Sequence, residues 1–254
     1  MKLRILGCGT STGVPKIGND WGRCDPAEPR NSRLRSSILV ETGGERLLVD
    51  CGPDLRQQLL AAEVNQLAAV IVTHAHGDHC HGIDELRPVA QAMGNPVPIH
   101  ARRDVLAELK LRFAYVFERS NFYRPIAKAE VIPDHWRIGA SEVRFVDQPH
   151  GNMTSLGMRF DEGHRSAVYA IDFNHLTQDM AALYEGADLW IADCLTRSPH
   201  PTHANLDAVL GWTRDLRIGQ VYLTHMGNGL DYRTLVAELP DWAAPAYDGL
   251  EVAL

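Results

Sequence analysis

Val70-Ile71-Val72-Thr73-His74-Ala75-His76-Gly77-Asp78-His79 carries an apolar, β-branched run into three histidines and an aspartate within six residues. The apolar part reads as a buried strand over 68–72. Imidazole nitrogens and carboxylate oxygens are good ligands for zinc, manganese and iron. His74 and His76 are two apart, so at a strand end their side chains share a face. Gly77 lets the chain bend, which turns Asp78 and His79 toward a second point. One metal rarely needs four ligands from so short a stretch, whereas two adjacent metals use them naturally.

Further ligands are then expected at other strand ends. His150, in Gln148-Pro149-His150-Gly151, follows a strand ending near Val146. Asp172 follows Val168-Tyr169-Ala170-Ile171, and His225 closes Val221-Tyr222-Leu223-Thr224. Alone, each is an ordinary packed or capping residue. Joined to the first cluster, they complete two metal sites, with Asp172 as a carboxylate shared between them.

Around these residues the chain of 254 residues shows no internal repeat, low-complexity tract or Gly/Ser linker, and it reads as one domain, 1–254. Strands are expected over 2–6, 37–41, 46–49, 68–72, 97–100, 142–145, 155–160, 167–171, 189–192, 221–223 and 250–253. Gly43-Gly44 joins the second and third as a hairpin. Helices are expected near 53–62, opened by Pro53, and near 83–92, 103–117, 176–184, 205–215 and 231–238. Strands in runs with helices between them fit two mixed sheets with helices on both outer faces. Gly7-Cys8-Gly9-Thr10-Ser11-Thr12-Gly13-Val14-Pro15 follows a strand as a dinucleotide loop would, but its third glycine is misplaced and Pro15 obstructs a helix start. A plain tight turn is the better reading.

The 25 basic and 32 acidic residues give a net charge of −7, which argues against a partner as large and anionic as nucleic acid. A small phosphorylated substrate stays open. The hydrophobic fraction of 45% is that of an ordinary globule, and no apolar run reaches the roughly 18 residues of a membrane span. Met1-Lys2-Leu3-Arg4 runs straight into a strand with no signal-peptide pattern, and five widely spaced cysteines do not form a disulfide framework. The expected compartment is the reducing cytoplasm.

Thr73-His74-Ala75-His76-Gly77-Asp78-His79 resembles the signature of the metallo-β-lactamase superfamily, and His150, Asp172 and His225 match its downstream metal motifs in order. The resemblance spans essentially the whole chain. It implies an α/β fold, the four-layer αββα sandwich, with a dinuclear metal site at one edge of the sheets. His74, His76 and His150 would hold one divalent ion, Asp78, His79 and His225 the other, with Asp172 bridging. Mn²⁺ and Zn²⁺ suit these ligands, and Fe does so as well. Asp50, in Leu47-Leu48-Val49-Asp50-Cys51-Gly52, matches an aspartate that supports such sites by hydrogen bonds.

Within that superfamily the chain is most similar to the PhnP-type phosphodiesterases of phosphonate metabolism. Leu6-Gly7-Cys8-Gly9-Thr10-Ser11-Thr12-Gly13-Val14-Pro15, Asp193-Cys194 with His203-Ala204-Asn205-Leu206, and Tyr247-Asp248-Gly249-Leu250-Glu251-Val252 carry this narrower match. It implies hydrolysis of a small phosphodiester, cyclic ribosyl or nucleotide, by a hydroxide shared between the metals. His203 and Asp78 are the expected catalytic residues, His203 touching phosphate or protonating the leaving alkoxide. A homodimer is also implied, with no membrane contact. The family's cysteine cluster is missing: residues 19–30 hold only Cys24, and Asn228 stands where a late histidine would complete the set, so no structural zinc is expected. Arg33, Arg35, Arg56 and Arg87 are candidates for phosphate binding, each with solvated arginine as the simpler reading. His81, His100, His135, His164, His175 and His200 receive no role. The alternatives are a thioesterase or a tRNA 3′-processing nuclease of the same fold, or a non-hydrolytic accessory protein resembling those of PQQ cofactor synthesis.

Overall fold

A period of two organises the first strands. Leu3, Ile5, Ile38, Val40, Leu47, Val49, Ala69 and Ile71 enter one buried cluster, while Leu6, Leu39, Leu48, Val70 and Val72 enter another. Successive side chains of a strand point to opposite faces, so these strands must be covered on both sides. The computed structural model describes residues 1–119, 122 and 124–254 and shows that arrangement.

The strands are β1 (Lys2–Gly7), β2 (Ser37–Thr42), β3 (Glu45–Val49), β4 (Ala69–Ile71), β5 (Val97–Ala101), β6 (Ala127–Val131), β7 (His135–Ile138), β8 (Ser141–His150), β9 (Met153–Glu162), β10 (Arg165–Ala170), β11 (Leu189–Asp193), β12 (Gln220–Thr224), β13 (Ala243–Pro245) and β14 (Glu251–Ala253). The helices are α1 (Leu55–Ala61), α2 (Gly77–Cys80), α3 (Leu86–Met93), α4 (Arg103–Arg112), α5 (Ala114–Phe117), α6 (Gln178–Tyr184), α7 (Leu206–Asp215) and α8 (Tyr232–Glu238). Among the described residues, two seven-stranded sheets form, ordered β14-β1-β2-β3-β4-β5-β6 and β13-β12-β11-β10-β9-β8-β7. One face of the first sheet packs under α1, α3 and α4 through Leu55, Leu59, Leu86, Val105 and Leu109. Its other face shares a core with the second sheet, which α6 and α7 cover through Met180, Tyr184, Leu206 and Val209. This is the four-layer αββα sandwich.

In each sheet an antiparallel half joins a parallel one. β3, β4, β5 and β6 run parallel, as do β10, β11, β12 and β13. The carboxyl ends of these strands therefore lie along one edge, where open α/β sheets place their ligand sites.

Several elements differ from expectation. β6, β7 and β13 are strands where none is expected; each lies at a sheet edge. The helix expected over 103–117 breaks at Phe113 into α4 and α5, and the one over 83–92 starts with a 3-10 turn at Ile83–Glu85. Pro53 does not open α1: Asp54 precedes the helix and accepts from the Arg35 N–H at 2.8 Å instead of capping. The glycine loop is a turn, closed by Gly13 N–H on the Thr10 carbonyl at 2.8 Å.

Candidate metal centre

Each candidate ligand stands at or just beyond a strand's carboxyl end, or on the turn that follows one. His74 and His76 follow β4, and α2 then carries Asp78 and His79. His150 ends β8, Asp172 follows β10, and His225 follows β12. Asp50, Asp172 and His225 all have positive φ, 64°, 58° and 55°, unusual for residues other than glycine. Three such conformations at three strand ends mark backbone held for function. Gly52 admits α2: a Cβ there would sit 2.0 Å from the Asp78 carbonyl oxygen.

The first group is built from three imidazoles. His74 Nε2 lies 3.0 Å from His76 Nδ1, and His150 Nε2 lies 3.4 Å from the same atom. Tetrahedral zinc with Zn–N near 2.0–2.1 Å places its donor atoms about 3.3 Å apart. The other ring nitrogens are engaged. Thr73 Oγ1 gives its proton to Asp50 Oδ2 at 3.0 Å, so it accepts from His74 Nδ1–H, also at 3.0 Å. His150 Nδ1–H donates to the Thr202 carbonyl at 3.0 Å. Both Nε2 atoms are thereby left as acceptors pointing inward.

In the second group His79 Nε2 is 3.1 Å from Asp78 Oδ2 and 3.0 Å from Asp172 Oδ2. His225 Nε2 is 3.6 and 3.7 Å from those two oxygens. Asp50 Oδ2 accepts from His79 Nδ1–H at 2.7 Å. Asp172 turns Oδ1 toward His150 Nε2, 3.7 Å away, and Oδ2 toward the second group. Although buried, His79 Nε2, His225 Nε2 and Asp172 Oδ2 make no hydrogen bond of sound geometry. Buried polar atoms without partners are rare and costly. Here they face one another across the spaces a cation would fill, so the residues present fit divalent ions.

The charges agree with that fit. Burial disfavours the imidazolium of His225, but Asp172, Asp193 and Asp78 outweigh it and lift the pKa to about 10. Burial opposes the charged form of His79 as well, and Asp78, Asp50 and Asp172 again prevail. Burial raises the Asp78 carboxyl, yet His79 and His225 hold it well below the usual range. His74 is pushed down by burial and by its histidine neighbours. The second group is thus a strongly negative pocket and the first a neutral nitrogen one.

His203 is expected to stand apart from the strand-end set. The structure puts it against them, its ring stacked 5.0 Å from His225 and 5.0 Å from His150. Asp193, at the end of β11, draws it in: His203 Nδ1 is 3.2 Å from Asp193 Oδ2 and 3.3 Å from Asp172 Oδ1. Asp193 was quoted in the sequence only as part of a motif, although it ends a strand just as the ligands do.

The arginine candidates do not line the site. Arg33 is buried, against the solvated reading; it donates to the Gly227 carbonyl at 3.1 Å and the Leu230 carbonyl at 2.6 Å. Arg35 pairs with Asp54 at 3.1 Å, Arg87 reaches Asp84 at 3.5 Å, and Arg56 is exposed on α1. Cys24 donates to the Leu230 carbonyl at 3.5 Å, and Asn228 Nδ2 donates to the Asp20 carbonyl at 3.4 Å. Among the described residues, the convergent groups of three metal-ligand side chains all lie in the strand-end cluster. His100 packs on Trp136, 4.4 Å between rings, while His200 lies 5.1 Å from His203.

The model of the beta-lactamase superfamily domain matches residues 45–226, from β3 to the residue after His225. The chain belongs to the metallo-β-lactamase superfamily. A solved structure of a new diphosphatase from the PhnP family superposes with a TM-score of 0.90 at 31% identity, covering 99% of this chain and 96% of that one. An octanoyltransferase of Porphyromonas gingivalis is 30% identical over 260 residues, covering 100% of this chain but 52% of that protein, so this chain spans about half its length. Coenzyme PQQ synthesis protein B of Methylobacterium nodulans is 25% identical over 274 residues, covering 94% of this chain and 86% of that protein. This superfamily fold implies divalent metal binding at the cluster described above. No helix among the described residues is long and apolar enough to cross a membrane.

Proposed function

We propose that the protein is a metal-dependent hydrolase of small phosphodiesters. The observation that carries the reading is the pair of facing donor sets that share Asp172, with His203 held at their border by Asp193. His74, His76 and His150 would hold one divalent ion and Asp78, His79 and His225 a second, Mn²⁺, Zn²⁺ or Fe by donor type. Such ions, when bound, polarise phosphoryl oxygens and make water a nucleophile at neutral pH.

The chain's own residues do the rest. Asp50 orients His79 directly and His74 through Thr73. Asp193 occupies His203 Nδ1, which leaves Nε2 for the substrate. There it donates to a phosphoryl oxygen or returns a proton to the leaving alkoxide. The cavity above the cluster, about 640 Å³, is sized for a small ligand and not for a folded nucleic acid. Likeness to the PhnP-family diphosphatase supports phosphorus chemistry. Five free, buried cysteines support a reducing, cytoplasmic compartment. A homodimer belongs to the same proposal.

Protein reconstituted with Mn²⁺ or Zn²⁺ should hydrolyse bis(p-nitrophenyl) phosphate and leave acyl thioesters intact. Thioester turnover without phosphodiester turnover would overturn this reading and favour acyl chemistry.

A further inference from the structure

The walls of the cavity differ in kind from its floor. Asp78 and Asp172 face the cavity from the floor, and the Asp50 and Asp193 carboxylates lie behind them. The rim is uncharged: Ser11 on one side, Asn152 on another, Thr202 on a third. No lysine or arginine among the described residues lines this space.

All three rim residues sit on backbone tied to the metal centre. Ser11 occupies the exposed tip of the Thr10–Gly13 turn, and that loop is fastened beside His225 by Thr10 N–H to the Met226 carbonyl at 3.2 Å and Met226 N–H to the Cys8 carbonyl at 2.8 Å. Asn152 is exposed in the turn between β8 and β9, two residues past His150. The Thr202 methyl lies 3.2 Å from where a Cβ on Gly151 would stand, and the Thr202 carbonyl receives His150 Nδ1–H. The side chains of Ser11 and Asn152 make no hydrogen bond to the described residues, so their donors and acceptors remain open to a ligand.

We propose that Ser11, Asn152 and Thr202 contact the non-reacting, hydroxyl-bearing part of the substrate, so that the site selects a phosphodiester with one negative charge over the same ester carrying an additional phosphate. This rests on the phosphodiesterase reading above. Four carboxylates at the floor match the four positive charges of two divalent ions. The reacting phosphoryl group then meets no surplus of positive charge to hold a second anion, and the rim supplies only neutral hydrogen bonds. A terminal phosphate would lose its hydration without gaining a counter-charge.

The test compares 2′,3′-cyclic AMP with the same nucleotide bearing a 5′-phosphate, on metal-reconstituted protein. The additional phosphate should lower kcat/KM by roughly 10- to 100-fold, mainly through KM. Asn152→Arg puts a cation on an exposed turn and should recover roughly 10-fold of that loss for the 5′-phosphorylated ester alone. Ser11→Ala should raise KM for 2′,3′-cyclic AMP. Calorimetry should show adenosine 3′-monophosphate binding more tightly than adenosine 3′,5′-bisphosphate. If the 5′-phosphorylated ester is equally good or better, or Asn152→Arg changes nothing, the rim proposal fails while the phosphodiesterase reading stands. If no phosphodiester is hydrolysed, bis(p-nitrophenyl) phosphate included, both fall.

Discussion

His203 is the side chain whose role separates the competing chemistries most cleanly. Its Nδ1 lies within reach of Asp193 and Asp172, so it borders the metal cluster, yet its ring also lines the cavity. If it protonates the leaving alkoxide, His203→Ala should lower kcat by roughly 10²–10⁴-fold on alkyl or ribosyl esters. The loss should be smaller on p-nitrophenyl esters, whose leaving group needs little protonation. Bound metal should not change. An equal loss for both ester types would make it a phosphate-positioning group, and loss of metal would make it a ligand. The seven candidate ligands were legible because each is a histidine or aspartate at or soon after the end of an apolar run. Asp193 obeys the same rule and was passed over because a lone Asp-Cys pair signals nothing by itself. Ser11, Asn152 and Thr202 had no signal at all: a small polar residue in a turn looks the same whether it faces solvent or a substrate.

The segment from Asp20 to Asn31 illustrates the scale of elements. Where related chains carry a cysteine cluster, this one ties the segment down with side-chain hydrogen bonds. Asp231 caps α8 by accepting from Thr234 N–H at 2.9 Å, and it also accepts from Asn31 Nδ2 at 2.7 Å and Asp25 N–H at 3.1 Å. Although partial burial raises its carboxyl, these donors outweigh that and bring it from 3.8 to about 2. A depressed folded-state pKa gives stability that is complete above the unfolded value and lost as pH falls through the folded one. Asp231→Ala should therefore cost about 1–2 kcal/mol near neutrality, in the range of a lost cap. Urea titrations should show the gap to wild type closing as pH falls from 3.8 toward 2. Cys24→Ser, in the same segment, should leave bound metal unchanged by elemental analysis; a lost ion would reveal an unsuspected ligand there. Central strands such as β4, β10 and β11 were readable as continuous apolar runs. β6, β7 and β13 were not, because an edge strand is covered on fewer sides and tolerates charge, proline and small residues. Ala127-Lys128-Ala129-Glu130-Val131 has the composition of a surface segment.

On the scale of the whole molecule, the sandwich brings together ligands spread from His74 to His225 by placing the ends of β4 in one sheet opposite those of β8, β10 and β12 in the other. That convergence is a property of two packed sheets, and the strand-end pattern foretold it only because the superfamily signature supplied the layer order. The acidic balance of the chain, −7, appears again at the floor of the site, where the carboxylates leave a strongly negative pocket. Everything proposed for catalysis depends on two ions filling the paired donor sets. The direct measurement is metal content by elemental analysis, after reconstitution with excess Mn²⁺ or Zn²⁺ and removal of free ions, with folding checked by circular dichroism. Two ions per chain are expected in the wild type, falling below two in Asp172→Ala together with most of the activity while the fold survives. One ion or fewer in the wild type, or two ions and full activity in Asp172→Ala, would contradict the dinuclear centre.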